Sequence, residues 1–151
     1  LAKEECYEMP AVIRGELTSV TVRFRHTEQK EASASLQVTL TDGEIIAAKC
    51  RQEHGRITGY IGCNREDTLQ KLQEKEEDFK QSVLSETGYS ADITIVYSQD
   101  IKNSYYVTEQ SAGKQMHTNT ENRSEEVQGS HTSANSLYQT AKQLIRLLTE
   151  L

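Results

Sequence analysis

The chain lacks the features that most sharply assign a protein to a class. No apolar run approaches the roughly 20 residues needed to cross a bilayer, and no basic segment followed by an apolar stretch marks a signal peptide. The opening, Leu-Ala-Lys-Glu-Glu without methionine, is that expected of a piece of a longer protein. An excess of positive charge is also missing. Seventeen Lys and Arg face 23 Asp and Glu for a net charge of -6, with no basic stripe, which disfavours nucleic acid and anionic membrane surfaces as partners. Cysteine is scarce and odd in number. Cys6, Cys50 and Cys63 have irregular spacing, so a disulfide framework is not expected, and reduced thiols suit a protein that folds in a bacterial cytoplasm. Proline occurs once, at Pro10. Hydrophobic residues make up only 35% of the 151, and the shortfall is local: residues 99–135 are almost wholly polar.

What is present is patterning. Val20, Val22 and Phe24 alternate with Thr21 and Arg23, which predicts a half-buried strand over Thr18–His26. Ala11–Arg14, with Gly15 as a break, predicts a short edge strand, and residues 1–9 are expected to be frayed or disordered. Leu36, Val38 and Leu40 alternate in a further strand. Asp42-Gly43 follows as a hairpin signal of the type I′ kind, and Ile45–Cys50 is the returning strand. His54-Gly55 marks a second turn before a strand over Ile57–Cys63, where Gly59 and Gly62 suggest a bulge or a close backbone approach.

Asn64 suits a helix N-cap, with Glu66 and Asp67 near the positive end of the dipole. Leu69, Leu72, Phe79 and Val83 recur at helical spacing, widened by Leu84, in one long helix that ends at Thr87 with Gly88 as its C′ residue. Ile93, Ile95 and Tyr97 alternate in a last strand, and apolar residues on both of its faces suggest a central place in the sheet. Tyr105-Tyr106-Val107 suits a short strand. The expected organisation is therefore an α+β domain over 10–107, with an antiparallel meander sheet packed on one long helix. A polar flexible linker over 108–135 and an amphipathic helix over 136–151 follow. Leu137, Ala141, Leu144, Leu148 and Leu151 form a heptad-like seam in that helix. Such a seam permits a dimer without requiring one.

Chemical motifs are few. No phosphate-binding loop, dinucleotide fingerprint, nucleophile elbow or zinc-protease motif occurs, and no cofactor or metal is expected. Cys50, His54 and Cys63 match no zinc spacing and lack a fourth ligand. Cys50 with His54 is the one candidate nucleophile pair, without an orienting third group, against the ordinary reading of Cys50 as a buried strand residue. The acidic run Glu74, Glu76, Glu77 and Asp78 reads as a solvated helix face partly compensated by Lys71, Lys75 and Lys80. Tyr60, Tyr97, Tyr105 and Tyr106 are of a type favoured at interfaces, or cap core edges with wet hydroxyls.

One resemblance covers residues 33–98. Leu36-Gln-Val-Thr-Leu, a short turn, Ile45-Ile-Ala-Ala-Lys, then a helix carrying Leu69-Gln-Lys-Leu72 and Leu84 ahead of Gly88, then Ile93-Thr-Ile-Val, resembles the C-terminal domain of bacterial flagellar hook-length control proteins. Glu28-Gln-Lys-Glu-Ala32 stands where that family has Pro-x-x-Leu-Gly, and Gly55–Cys63 adds a strand. The resemblance implies a non-enzymatic protein-interaction domain that contacts the flagellar type III export gate, helps switch export from hook to filament subunits, and is itself exported from the cytoplasm. Leu137, Tyr138, Leu144 and Leu148 are the candidate contact seam, against the alternative that they pack on the chain's own sheet. Two other functions compete: a chaperone-like module holding a helix in a groove, and a small enzyme using Cys50 and His54.

Overall fold

Among the described residues, six strands order themselves in one sheet as they occur in the chain. The computed structural model describes residues 3–27, 31–100 and 123–151, the side chains of 123–134 excepted. The strands are β1 (Lys3–Ile13), β2 (Glu16–His26), β3 (Ala32–Thr39), β4 (Ile45–Glu53), β5 (Arg56–Cys63) and β6 (Ser90–Tyr97). Neighbours are antiparallel except β5 and β6, which run parallel. A parallel pair needs a crossover, supplied here by α1 (Glu66–Glu74) and α2 (Glu76–Thr87). After β6, α3 (Arg123–Thr149) lies on the same face of the sheet. The class is α+β, as the patterning predicts.

The hairpins follow from turn chemistry. Arg14-Gly15 and His54-Gly55 have positive φ at both residues (51° and 80°; 53° and 76°), giving two-residue loops whose twist matches the flanking strands. Asp42-Gly43 differs from the expected type I′ turn. Only Gly43 has positive φ, its N–H donates to the Leu40 carbonyl at 3.0 Å, and Leu40 donates to the Glu44 carbonyl at 2.8 Å. A three-residue loop closed by a left-handed glycine is thus preferred, and the Asp42 Oδ1 that accepts the Glu44 N–H at 3.0 Å fixes it. At Gly59 the anticipated close approach is present. A Cβ there would stand 1.9 Å from the Lys49 carbonyl oxygen, and the pairing with β4 continues without a bulge.

Four expectations are corrected. First, Lys3–Met9 are not frayed: they complete β1, which pairs with β2 over its whole length. The segment is too polar for its alternation to show, because β1 is an edge strand with little to bury. Second, among the described residues β6 is the last strand of the sheet, paired on one side only, rather than central. Ile93 alone of its apolar residues is fully buried, and Val96 stays 36% exposed. Third, the long helix breaks at Lys75 (φ −99°, ψ 1°). No apolar residue lies between Leu72 and Phe79 to hold that turn on the sheet, and the break puts Glu76, Glu77 and Asp78 in a new first turn, where the helix dipole favours acids. Arg65, not Asn64, is the N-cap. The Asn64 Oδ1 instead accepts from Ile45 N at 2.9 Å, tying β4 to the end of β5. Gly88 does terminate α2, with φ 79° and its N–H on the Leu84 carbonyl at 2.8 Å. Fourth, residues 123–135, expected as linker, belong to α3. Extending a helix already nucleated by a docked segment adds one hydrogen bond per residue fixed, so polar sequence continues it. Tyr105, Tyr106 and the remaining linker residues, 108–122, lie outside the described residues.

The core is one layer between sheet and helices. Ile13, Val20, Leu36, Val38, Ile46, Ile57, Ile61 and Ile93 meet Leu72, Phe79 and Val83 from the crossover, and Leu137, Leu144 and Leu148 from α3. α3 packs chiefly on α2 and β3, while α1 and α2 cover β5 and β6. Leu84 is on the far side of α2, 42% exposed. Leu144→Ala is therefore expected to cost about 2–5 kcal/mol. Leu84→Ala should stay within about 1 kcal/mol. Urea unfolding of the two variants checks the contrast.

Candidate functional site

The structure spends the predicted contact seam internally. Leu137, Leu144 and Leu148 are buried against the chain's own sheet and α2, and Leu147 joins them. Tyr138 is half-buried. Its ring stands edge-on to Phe24 at 4.4 Å between centroids, and its hydroxyl donates to the Glu5 carboxylate at 3.0 Å. Burial raises the Tyr138 hydroxyl above its ordinary range, and the bond to Glu5 adds to this. Tyr7 donates to the same carboxylate at 2.8 Å. So Tyr138 fastens α3 to the start of β1, an effect that sequence spacing does not reveal across 133 positions.

Cys50 and His54 are not brought together. Cys50 points into the core between Ala34 and Gly59, and burial pushes its thiol up to about 12. His54 sits four residues on, roughly 13 Å along an extended chain, in an exposed turn, with Nε2 4.0 Å from Glu53. A buried neutral thiol with no base beside it is not an activated nucleophile, so the Cys50–His54 enzyme reading is set aside. Cys63 is buried as well, its pKa raised chiefly by desolvation. Among the described residues, no group of three His, Cys, Asp or Glu is placed to hold a metal, and no helix is long and apolar enough to cross a membrane. Between α2 and α3 lies a groove of ≈ 380 Å³ lined by Lys75, Asp78, Arg146 and Glu150, with Phe79 and Leu147 beneath.

The sequence reading missed a buried charge. Glu44, in the β3–β4 turn, has a fully buried carboxylate. Arg14, in the β1–β2 turn, grips it with Nη1 at 2.5 Å and Nη2 at 3.1 Å, and Nη2 also donates to Thr68 Oγ1 at 2.5 Å. The Thr68 hydroxyl, on the first turn of α1, donates to Glu44 in turn. Arg65 stands 3.6 Å from Glu44 and is itself held by Asp42 at 2.7 Å and Asp67 at 2.7 Å. The bond to Glu44 raises the Arg14 guanidinium. Asp67 is held below the usual carboxylate range by Arg65, and Asp42 by the Glu44 backbone N–H. These lowered values place the aspartates' contribution above their ordinary pKa and remove it as pH falls through the folded values. No local motif announces such a knot, since its members are 30 and 54 positions from Arg14.

Most of the exposed large apolar side chains among the described residues lie on the β1–β2 ribbon. Its outer edge is paired with no other strand among the described residues. Tyr7 (45%), Met9 (42%), Val12 (53%) and Leu17 (74%) are exposed along it. Val12 and Leu17 are paired neighbours at the turn end, on the face away from the helices, whereas Tyr7 and Met9 lie on the helix side. The four thus divide between the two faces of the ribbon, two on each.

Two tests follow from this geometry. Arg14→Asn produces an Asn-Gly pair, the best local sequence for that turn, so the turn itself does not suffer. It also strips a buried carboxylate of its main counter-charge, and a loss of about 3 kcal/mol is expected by denaturant titration. Adding Glu44→Gln should restore part of that loss. Separately, alkylation of the native chain at pH 9 should modify Cys6, the exposed thiol, while Cys50 and Cys63 react only after unfolding; peptide mass mapping reads the result. Compared with known proteins, the chain matches no family model, no curated protein sequence and no solved structure.

Proposed function

We propose that this chain is a non-catalytic protein-interaction domain, and that it works as an export-switching module of the flagellar hook-length control kind, in the bacterial cytoplasm and against the type III export gate. The observation that carries the interaction reading is the β1–β2 ribbon, which holds four exposed apolar side chains beside an open strand edge. Burial of such residues by a partner is favourable by about 25 cal/mol per Å² of apolar surface. The flagellar assignment rests on the resemblance over residues 33–98. That stretch coincides with β3, β4, β5, the crossover helices and β6, a contiguous piece of the fold. The ribbon lies beside this piece and supplies the contact surface, since α3 has no apolar seam left to offer.

Calorimetric titration against the cytoplasmic domain of the export gate tests the proposal. Binding in the micromolar range is expected. The double substitution Val12→Ser and Leu17→Ser should weaken it about 10-fold or more, while stability shifts by less than about 1 kcal/mol, because both side chains are already in water. No binding at tens of micromolar overturns the flagellar assignment, and equal binding by the double variant overturns the ribbon as the contact.

A further inference from the structure

The register of β1 fixes which of its backbone groups are unspent. The two-residue loop at Arg14-Gly15 makes Ile13 and Glu16 a hydrogen-bonded pair, and such pairs alternate along an antiparallel ladder. Ala11, Met9, Tyr7 and Glu5 therefore direct their N–H and C=O groups to β2. Val12, Pro10, Glu8, Cys6 and Glu4 direct theirs outward. Pro10 agrees with this: it is the one residue with no N–H to give, and it falls at an outward position, where nothing in the sheet needs one. The outward donors are thus continuous from Glu4 through Cys6 to Glu8 and stop at Pro10.

The charges on this edge are unequal. β1 carries Glu4, Glu5 and Glu8 against Lys3 alone. Glu4 has Arg23 at 3.7 Å. Glu8 accepts hydrogen bonds from Ser19 at 2.6 Å and Thr21 at 2.9 Å, and Arg23 acts on it only as a weaker charge interaction. Those bonds keep its pKa below the usual range without cancelling its charge. Glu5 likewise accepts from two tyrosines. A second copy of this strand is poorly matched. It offers no cation to Glu8: an antiparallel pair centred on Cys6 sets Glu4 against Glu8, one centred on Glu8 sets that carboxylate against itself, and one centred on Tyr7 sets Glu8 against Cys6.

From this we infer that the open edge of β1, from Glu4 to Glu8, takes a seventh strand from a partner protein: an extended segment with a lysine or arginine opposite Glu8 and an apolar residue over Tyr7 and Met9. The proposal deepens the interaction reading and rests on it. Main-chain hydrogen bonds to Glu4, Cys6 and Glu8 supply affinity, and the alternate side chains supply selectivity. Pro10 sets the boundary beyond which pairing cannot continue.

The test uses the full chain and dye-labelled ten-residue peptides that alternate lysine with valine. A control replaces lysine by glutamate, and another carries N-methyl groups on alternate amides. The lysine peptide should bind in the micromolar range by fluorescence anisotropy, at least about 10-fold tighter than either control and more weakly as salt is added. Glu8→Gln should lower its affinity about 3-fold or more. By amide hydrogen exchange, Tyr7 and Met9 should be protected in the free chain, whereas Cys6 and Glu8 become protected only with peptide. Equal binding of the N-methyl peptide, or protection of Cys6 and Glu8 without peptide, overturns the proposal. So does their protection by rising protein concentration alone, which would mean self-pairing. If export-gate binding is lost in the Val12→Ser, Leu17→Ser variant but untouched by Glu8→Gln, the interaction reading stands and the seventh strand falls.

Discussion

The Glu44–Arg14 pair is the constraint on which the arrangement of this molecule turns. A carboxylate with no exposed surface is held by a guanidinium from one hairpin turn and a hydroxyl from the first turn of a helix. Those three groups come from the β1–β2 turn, the β3–β4 turn and α1, so one buried charge registers two hairpins and the crossover against each other. Buried ion pairs are poor sources of net stability, because desolvation offsets their attraction, but breaking one is costly. The consequence is specificity of placement: an arrangement that separates Arg14 from Glu44 leaves a bare charge in the core, and alternatives of that kind are excluded.

The ribbon is fastened at its other end as well. Phe24 packs edge-on against Tyr138, and Glu5 accepts hydrogen bonds from Tyr138 and Tyr7, which links the start of β1 and the end of β2 to α3. A two-stranded ribbon alone is marginal in water. Held at the turn by Arg14 and near its open end by Tyr138, and paired along one side by β3, this one is rigid enough for its outer edge to stay extended without a strand beside it. That is the physical link between the polar contacts at the two ends and the exposed middle at Tyr7 and Met9.

The legibility of the sequence followed burial. β2, β3, β4 and β5 were readable because each has a buried face, and alternation such as Val20, Val22, Phe24 or Leu36, Val38 records it. The seam of α3 was readable for the same reason, down to Leu137, Leu144 and Leu148. β1 is legible only at its turn end, where Ala11–Arg14 reads as a short edge strand, because a strand that buries only Ala11 and Ile13 leaves no period-2 trace over Lys3–Met9. Ile95 and Val96 give β6 the look of a two-faced, central strand. Its position depends on the crossover, which alternation does not encode. The break at Lys75 was visible only as a gap in the apolar stripe, and helical spacing carries across such a gap in phase. Glu44 looked like a turn residue. Its partners are set by the fold, so neither its burial nor the site built around it has a local signature.

An open strand edge is a hazard, and this one is limited by the means proteins ordinarily use: charge and proline on the edge. Glu8 meets itself in the register that would join the whole strand, and Pro10 removes a donor from the middle of the edge. Neither device prevents pairing in general. Like charge discriminates against copies of this strand and in favour of a strand of opposite sign, while proline limits how long the pairing runs. Protection against aggregation and selection of a partner thus arise from the same few residues.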